Sequence, residues 1–600
     1  MANDNHLLSV TCYNVTMLNN KYYNEFFELG QQKINFKFYE LRLPDDDPVF
    51  TLKKVMEEMD FSALLAQYSG KGKHGFNPIM KYGVLTYANM RGIREIDRIV
   101  ELCRRDLAFI WLTQGEQPKR DAFYDFINKK LTPEILDDLN YQLLRRLKKE
   151  GLITLESLFI DGTKIEANAN RYTFVWRGTL NYHLAGLLDT IESLYAKYNE
   201  FLEENGYDAK YGFGNARMFI VEGMDKVREV MEKNRKRKLT KHKKISNNRM
   251  IEIDNCSPLD LLKLQKNLVT IADGEGIGFV YGKGRKKSEI QRLYEELEVC
   301  GKKLMEYKES FEIMGKDRNS YSKTDLEATF MRMKEDHMRN GQLKPAYNVQ
   351  IAVENYFIIH GYVSNDRTDY NALIPVVQKH IHAFGEILKE ATADSGYCSE
   401  KNLRFLKEHN IESYIKLQDH EQRKTRAYKE NIGKYYNMTT RIFEDERYYI
   451  CHDGRELRHI RTEEKEMEGY TQTLEVYGCA DCSGCGHKAK CLYQYNPQKD
   501  AGKNKVMKIN ERWEELKEKS HANIQSEKGI LNRQIRSIQT EGHFGDIKEN
   551  DEFRRFHHRS SDKVYKEFML YAIGRNINKY HRFLSKKLRK FEGKKEENAA

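Results

Sequence analysis

Residues 157–166 read SLFIDGTKIE, an apolar strand that runs into an aspartate, Asp161, with a glycine directly after it. The same pattern returns in ATAD, residues 391–394, where Asp394 closes a second short apolar stretch. Between and after them we predict strands at 347–353, 357–363 and 413–417 and helices at 371–380 and 400–409. Strands and helices that alternate in this way indicate an α/β fold built on a mixed sheet.

A chain of 600 residues is too long for one hydrophobic core, so several structural units are expected. Apolar residues recur at helical spacing from Thr51 to about Leu147, and helical stripes return between 180 and 312. The predicted parts are an N-terminal helical domain (1–150), a core assembled from 151–178, 336–425 and 517–580, a helical insertion (179–335), a Cys-rich insertion (426–516) and a basic tail (581–600).

The composition argues against a membrane protein and favours a polyanionic partner. Charged residues make up 32% and apolar residues 40%, and no run approaches the ~18 apolar residues that a membrane helix needs. The N-terminus lacks the basic and apolar regions of a signal peptide, so we expect a cytoplasmic protein. The net charge is +11, and eight of the twelve residues from Lys233 to Lys244 are Lys or Arg. This run, residues 284–287 and the basic tail could neutralise phosphates; a solvated surface is the alternative for each of them.

A basic helix in the N-terminal domain is a candidate for contacting DNA. Arg91, Arg94 and Arg98 alternate there with apolar residues at helical spacing. The alternative is a domain that only packs against the rest of the chain. We favour a DNA-binding head because of the acidic residues that follow.

Three carboxylates form the candidate catalytic set: Asp161, Asp394 and Glu541. Taken singly, each has a plain explanation, since Asp-Gly pairs usually form turns and a helical Glu usually lies on the surface. Taken in order, two of them end central strands and therefore open into one crevice, which a third from a later helix could close. Mg²⁺ or Mn²⁺ bound by such carboxylates can drive phosphodiester chemistry. Lys548 lies seven residues after Glu541, on the same face of a helix about 10 Å along its axis, where it could hold a phosphate.

Three other aspartates rank below this set. Asp325 and Asp336 are further acidic candidates near the core, but the simpler role for Ser322 to Asp325 is a capped helix start. Asp369 is interpreted as the residue that opens the helix near Asn371.

Five segments in one order carry a family resemblance. They are FIDGTKIEANA (159–169), SKTD with AT (322–329), GQLKPAYNVQ (341–350), DSGY (394–397) and EGHFGDIK with RRF (541–556). In this the chain resembles the insertion-sequence transposases with an RNase H-like Asp–Asp–Glu core and an InsH-type N-terminal domain. The resemblance covers about residues 45–580. It implies Asp161, Asp394 and Glu541 as catalytic carboxylates, Lys548 as a DNA contact, and binding of the element's terminal DNA by residues 50–126.

The sequence departs from this family in one place. Many relatives have Tyr seven residues and Arg four residues before the Glu, where this chain has Gln534 and Ser537. Arg533 and Arg536 lie next to these positions, and we expect them to substitute as DNA contacts.

A cysteine cluster follows the core strands, within residues 420–515, which we predict to be irregular. Cys479, Cys482, Cys485 and Cys491 have the spacing C-x2-C-x2-C-x5-C, and Cys451 lies upstream. In a reducing compartment such spacing favours a metal over disulfides. We predict a structural Zn²⁺ on Cys451, Cys482, Cys485 and Cys491. Cys479 and His487 are alternate ligands, and a reduced, metal-free loop is the other interpretation.

The function predicted from these observations is DNA transposition: metal-dependent strand cleavage and strand transfer at the ends of an element. The alternatives are a DNA-binding regulator with an inactive core and a related nuclease that cleaves without joining. The expected partners are transposon-end and target double-stranded DNA, bound by a homodimer or higher oligomer. The expected location is the bacterial cytoplasm, in association with the nucleoid.

Overall fold

The computed structural model describes the chain in several stretches. They are residues 34–36, 39–68, 75–206, 258–315, 318–333, 343–444, 446–467 and 469–597, with side chains described from 42 to 586. The basic run Lys233–Lys244 and Asp336 lie outside the described residues. None of the described helices is both long and apolar enough to cross a membrane.

The N-terminal region is helical. Its elements are β1 (Ile34–Phe36), β2 (Tyr39–Leu41), α1 (Pro48–Glu57), α2 (Ser62–Leu65), α3 (Pro78–Met90), α4 (Ile96–Arg105), α5 (Leu107–Leu112), α6 (Arg120–Asp125) and α7 (Pro133–Lys149). Asp47, Asn77 and Thr132 each accept a backbone N–H at the start of a helix whose first residue is proline. Every residue of α3 is buried, so α3 is the centre of this region.

A helical insertion follows the first core strand. The elements are β3 (Ser157–Glu166), β4 (Phe174–Trp176), α8 (Arg177–Glu204), α9 (Pro258–Gly274), α10 (Glu289–Met314) and β5 (Ser320–Ser322). The three helices enclose an apolar core of their own, which contains Leu184, Leu264 and Leu297. β4 and β5 pair antiparallel, so the two ends of the insertion lie together.

The central sheet is mixed, as the sequence predicted. Its remaining elements are β6 (Thr329–Arg332), β7 (Leu343–Glu354), β8 (Phe357–Ser364), α11 (Leu373–Phe384), β9 (Glu390–Ala393), α12 (Glu400–Glu408) and β10 (Glu412–Ile415). The strands lie in the order β10-β9-β3-β7, with β8 and β6 both paired to β7. β3, β9 and β10 are parallel, and β7 is antiparallel to β3 and β8. β9 is entirely buried, as expected for a strand covered on both faces.

The Cys-rich insertion is more ordered than the sequence suggested. Its elements are α13 (Arg426–Lys429), β11 (Thr439–Phe443), β12 (Glu446–Ile450), β13 (Glu456–Met467), β14 (Tyr470–Cys479), α14 (Lys488–Cys491), α15 (Pro497–Asp500) and β15 (Val506–Ile509). The five strands form one antiparallel sheet in sequential order. The expectation of irregular structure was wrong because β13 is almost wholly exposed and charged, so it lacks the apolar alternation that marks a half-buried strand.

The C-terminal helices return to the core. They are α16 (Glu511–Gln525), α17 (Glu527–Arg536), a π-turn (Ser537–Glu541), α18 (Gly542–Gly545), a second π-turn (Asp546–Asn550) and α19 (Ser561–Glu597). α19 joins two parts of the chain, since Asn576 bonds both backbone groups of Ile358 in β8 and Gly574 lies against Asn89 of α3. The predicted basic tail, 581–600, is a continuation of this helix up to Glu597.

Candidate active site on the central strands

Asp161 and Asp394 lie side by side because of the register of two parallel strands. Phe159 of β3 pairs with Thr392 of β9, and each aspartate lies two residues further along the chain. Adjacent strands are about 4.8 Å apart, so the two carboxyl groups open into one crevice. The structure therefore brings together two of the three carboxylates singled out in the sequence.

The Asp161 carboxylate is held by groups from a distant helix. Its Oδ2 accepts hydrogen bonds from Arg536 Nη1 at 2.7 Å and from the Thr540 hydroxyl at 3.1 Å, while Oδ1 accepts from the Gly162 N–H at 2.8 Å. The side chains of Arg536 and Asp161 are 16% and 12% exposed. This is a charge-assisted pair that is largely removed from water, and such pairs are stronger than exposed ones.

Asp394 lies in a more negative environment. Its Oδ1 accepts the Gly396 N–H at 2.8 Å. Burial raises the pKa of the Asp394 carboxyl above its usual range and Asp161 raises it further, as does Asp369, whereas the Gly396 N–H and Arg536 oppose the shift. Carboxylates that share a site disfavour each other's charged form. The protonated form of Asp394 is therefore favoured in the metal-free crevice.

Asp369 is a third carboxylate of the crevice, which the sequence analysis interpreted only as a helix start. Its Oδ1 accepts the amide N–H groups of Asn348 at 2.8 Å and Gln350 at 2.7 Å, both on β7. Its Oδ2 lies near Gly396, beside the Asp394 carboxylate. Only the pairing of β7 with β3 brings these residues together, so spacing in the sequence carried no signal for this role.

Glu541 lies on the segment that reaches the site, but its side chain is exposed. It ends the π-turn Ser537–Glu541, which packs against β3 and β7. The side chain that contacts Asp161 is that of Thr540, and neighbouring side chains on a helical turn project in different directions. Among the residues that the structure describes, no three His, Cys, Asp or Glu side chains form a group that could hold a metal ion. The third carboxylate of the predicted set is thus not assembled with the other two here.

The structure corrects the predicted position of Lys548. Its side chain is 6% exposed, within the second π-turn, whereas Glu541 is exposed. The two residues do not share an outward face. A spacing of seven brings side chains into phase only on a regular α-helix, and here two π-turns lie on either side of a four-residue α-helix.

Arg536 directly precedes the π-turn Ser537–Glu541 and lies five residues before Glu541. A π-turn closes i to i+5 and so accommodates one more residue than an α-turn. The expectation that Arg536 substitutes for the arginine four residues before the Glu stays a prediction. Arg533 is half-buried, and its Nε has no hydrogen-bond partner in the described part of the chain.

The three arginines predicted as DNA contacts in the N-terminal domain differ in exposure. Arg98 is exposed, and Arg91 is exposed and pairs with Asp106 at 2.6 Å. The predicted DNA contact by Arg94 must be corrected. The Arg94 side chain is only 8% exposed, pairs with Glu567 of α19 at 2.7 Å and lies over the Phe553 ring. The spacing of the arginines in the sequence grouped Arg94 with Arg91 and Arg98, but it could not show that the Arg94 side chain packs against α19.

Asp325 also differs from the expectation. It follows β5 in a turn and not in a helix, because Ser322 pairs with Asp325 across that turn. Its carboxylate accepts the Tyr347 hydroxyl at 2.9 Å and the Ser560 N–H at 3.3 Å. Burial raises the pKa of this carboxyl, and the Tyr347 hydroxyl opposes the shift. These contacts give Asp325 a structural role.

The donor atoms of the crevice are of the kind that a divalent cation prefers, but within the described residues they do not form a group of three that could hold one. Asp161, Asp394 and Asp369 offer hard oxygen ligands, the kind that Mg²⁺ and Mn²⁺ prefer. The pKa of Asp394 is raised mainly by burial, and the neighbouring Asp161 and Asp369 add to the shift. Arg536 supplies the one cation that contacts Asp161 within the described residues, and its guanidinium stands where a metal ion would neutralise the same carboxylate.

The cysteines predicted to hold zinc lie around two turns that touch. Gly454 follows Cys451 and Gly484 follows Cys482, each with positive φ. Arg455 donates to the Asp481 carbonyl at 2.9 Å, and the rings of His452 and His487 are in contact. Burial raises the pKa of the Cys491 thiol; Lys505 opposes this, and Cys451, Cys482 and Cys485 add to it. The cysteines are free thiols and the described residues show no ready metal geometry, so zinc stays a prediction.

The strand order, with Asp161 in the middle of β3 and Asp394 directly after β9, is consistent with an RNase H-like core. Residues 450–581 match the family model described as a transposase DDE domain, and residues 37–129 match one described as a transposase domain (DUF772). The two matches support an insertion-sequence DDE transposase, and the resemblance drawn from the sequence is confirmed. A transposase role implies a DNA substrate, DNA cleavage in general and use of a divalent metal. Comparisons with curated proteins and with solved structures give no match.

Proposed function

We propose that the chain cuts DNA at the ends of an insertion sequence and joins those ends to target DNA, using Mg²⁺ or Mn²⁺. The observation that supports this most directly is the pair Asp161 and Asp394, which the register of β3 and β9 brings into one crevice. Asp161 and Asp394 would hold the metal from the sheet, and Glu541 would complete the set from the helical side. The roles of all three are part of the proposal.

The proposed chemistry is two displacements at phosphorus. A bound divalent ion supplies Lewis acidity at the phosphoryl oxygen and lowers the pKa of the attacking water or hydroxyl. In the first displacement water attacks a strand at the element's end and the 3′-oxygen leaves. In the second, that 3′-hydroxyl attacks a target phosphodiester and another 3′-oxygen leaves. Arg536, freed from Asp161, would pair with a DNA phosphate, because a guanidinium matches phosphate oxygens in a bidentate contact.

DNA contacts outside the crevice are proposed from exposure and charge. Arg91 and Arg98 remain candidates on α4 and the turn before it, and Arg533 lies one turn before Arg536 on the helix that reaches the site. Two element ends must be cut and joined together, which one crevice cannot do alone, so we propose a homodimer or higher oligomer on DNA. The proposed location is the bacterial cytoplasm, on the nucleoid.

The test is a supercoiled donor plasmid that carries the element's own ends, incubated with the protein and Mg²⁺. We expect nicked and joined products with the wild type and none with Asp394→Ala. Asp366→Ala, on the loop after β8, is the matched control and should retain activity. Equal cleavage by wild type and Asp394→Ala would remove Asp394 from the mechanism. End binding without cleavage by the wild type would favour a regulator, and cleavage without joining would favour a nuclease.

A further inference from the structure

Asp369 lies in the loop between β8 and α11, where its side chain does not cap the helix. α11 begins at Leu373, its N-cap is Ala372, and no side chain bonds to its first N–H groups. Only the backbone carbonyl of Asp369 takes part, by accepting the Ala372 N–H at 3.0 Å. The carboxylate points instead to the crevice, so a local structural role does not explain it.

One oxygen of Asp369 is held by a buried network. Asn348 and Gln350 donate to Oδ1, and Gln350 also donates to the Asn348 side-chain oxygen at 3.1 Å. The hydroxyl of Tyr397, which is fully buried, donates to the Gln350 side-chain oxygen. Asn348 and Gln350 are 1% and 0% exposed. Hydrogen-bonded groups of this kind fix the orientation of a carboxylate, as the outer partners of metal ligands do.

The other oxygen faces Asp394, and the backbone leaves room for it. A Cβ on Gly162 would lie 2.8 Å from Asp369 Oδ1 and 2.2 Å from Gln350 Nε2. A Cβ on Gly396 would lie 3.3 Å from Asp369 Oδ2 and 3.0 Å from Asp394 Oδ1. A side chain at Gly162 would therefore meet Gln350 first and Asp369 second, and one at Gly396 would crowd Asp394 as well as Asp369. In the described part of the chain, Oδ2 has no hydrogen-bond donor.

We propose that Asp369 is a fourth acidic residue of the metal-binding crevice, which presents Oδ2 to the divalent ion beside Asp394 while Asn348 and Gln350 hold Oδ1. Asp369 Oδ2 and Asp394 Oδ1 both lie beside Gly396, and carboxylates this close repel each other unless a cation joins them. This inference rests on the proposed function, because it assumes that the crevice of Asp161 and Asp394 binds a divalent metal.

The test measures Mn²⁺ binding to the full-length protein without DNA, by the electron paramagnetic resonance signal of free Mn²⁺. Asp369→Asn keeps an oxygen for the two amide donors but removes the charge. We expect its Kd for Mn²⁺ to rise at least tenfold, within the 10- to 100-fold range typical of losses around a metal site. Its melting temperature without metal should stay equal or rise, because a repulsive charge is removed. Asp366→Asn, on the same loop, should leave both values unchanged.

The outcomes separate the inference from the proposed function. If Asp161→Asn and Asp394→Asn weaken Mn²⁺ binding and Asp369→Asn does not, the inference fails and the proposed function stands. If none of the three changes Mn²⁺ binding, the proposed function fails with it. A lower melting temperature without metal, with an unchanged Kd, would mean that Asp369 is structural. Asp369→Glu, which restores the charge, should recover Mn²⁺ binding in part.

Discussion

Removing Arg536 should destabilise the metal-free protein, and a divalent metal should reverse most of that loss. In Arg536→Met the Asp161 carboxylate loses a partner at 2.7 Å in a pair whose side chains are only 16% and 12% exposed. Breaking such a buried pair from one side costs about 3–5 kcal/mol. Asp161 keeps the Thr540 hydroxyl and the Gly162 N–H, so we expect the low end, about 3 kcal/mol.

Metal binding at the same carboxylate should offset this cost. A ligand at a hundred times its Kd stabilises the folded state by about 2.7 kcal/mol. Mg²⁺ at that concentration should therefore almost restore Arg536→Met. The wild type should gain less, because Mg²⁺ must displace the guanidinium from Asp161. Arg94→Met is the matched control: it breaks a comparably buried pair with Glu567, also at 2.7 Å, that includes no carboxylate of the crevice.

Hydrogen exchange is the appropriate assay, because a chain of several units has no single free energy of unfolding. The amides of β3 should exchange about a hundredfold faster in Arg536→Met than in the wild type, since 1.4 kcal/mol corresponds to a factor of ten. Mg²⁺ should slow that exchange again in Arg536→Met but not in Arg94→Met. Unchanged exchange in Arg536→Met, or equal recovery of both variants, would refute this account of the crevice.

Four further predictions follow from the structure. Asp394→Asn should abolish cleavage yet have a higher melting temperature than the wild type at pH 7. The folded pKa of Asp394 is raised, so this carboxyl stabilises the fold at low pH, and that contribution is lost as the pH rises through the folded pKa. The difference in melting temperature between the two proteins should therefore vanish below about pH 4. Glu541→Gln should abolish cleavage and change stability by less than about 0.5 kcal/mol, because the side chain is exposed; a large loss of stability in a melt would contradict this. Gly574→Ala should cost about 1–3 kcal/mol, since its Cβ would lie 2.8 Å from Asn89 Cβ, and a wild-type melting temperature would show that α19 and α3 can separate freely. Purified protein should contain one zinc per chain by elemental analysis and Cys485→Ser should contain none; a metal-free wild type would favour the reduced loop.

The strands and their two aspartates could be predicted because both signals are local. Short apolar runs before Asp-Gly or Asp-Ser-Gly indicate buried strands, and the sheet has strands at these places. The expected strand end is correct for Asp394 but wrong for Asp161, because β3 continues to Glu166 by pairing with β7. Parallel pairing then follows from the intervening helices. With that register, Asp161 and Asp394 must be neighbours. The sequence pattern and the topology of the sheet therefore agree that Asp161 and Asp394 lie next to each other.

The helical side of the site could not be predicted in the same way. Helical periodicity assumes a constant number of residues per turn, and two π-turns between Ser537 and Asn550 break that assumption. This is why Lys548 is buried and why Arg536 reaches Asp161. The position of Asp369 in the crevice could not be predicted for a different reason. Its partners, Asn348 and Gln350, lie on a strand about twenty residues away in the sequence, and only the folded sheet brings them together.

The metal-free crevice compensates its negative charge in two ways, and both oppose metal binding. Asp161 is paired with Arg536, and burial with nearby carboxylates favours the protonated form of Asp394. Arg536 directly precedes the π-turn that ends at Glu541. A shift of this segment that frees Asp161 would therefore also move Glu541 relative to the crevice. We expect release of the arginine and arrival of the third carboxylate to be coupled, so that the complete metal site forms only when an anion such as a DNA phosphate accepts the guanidinium.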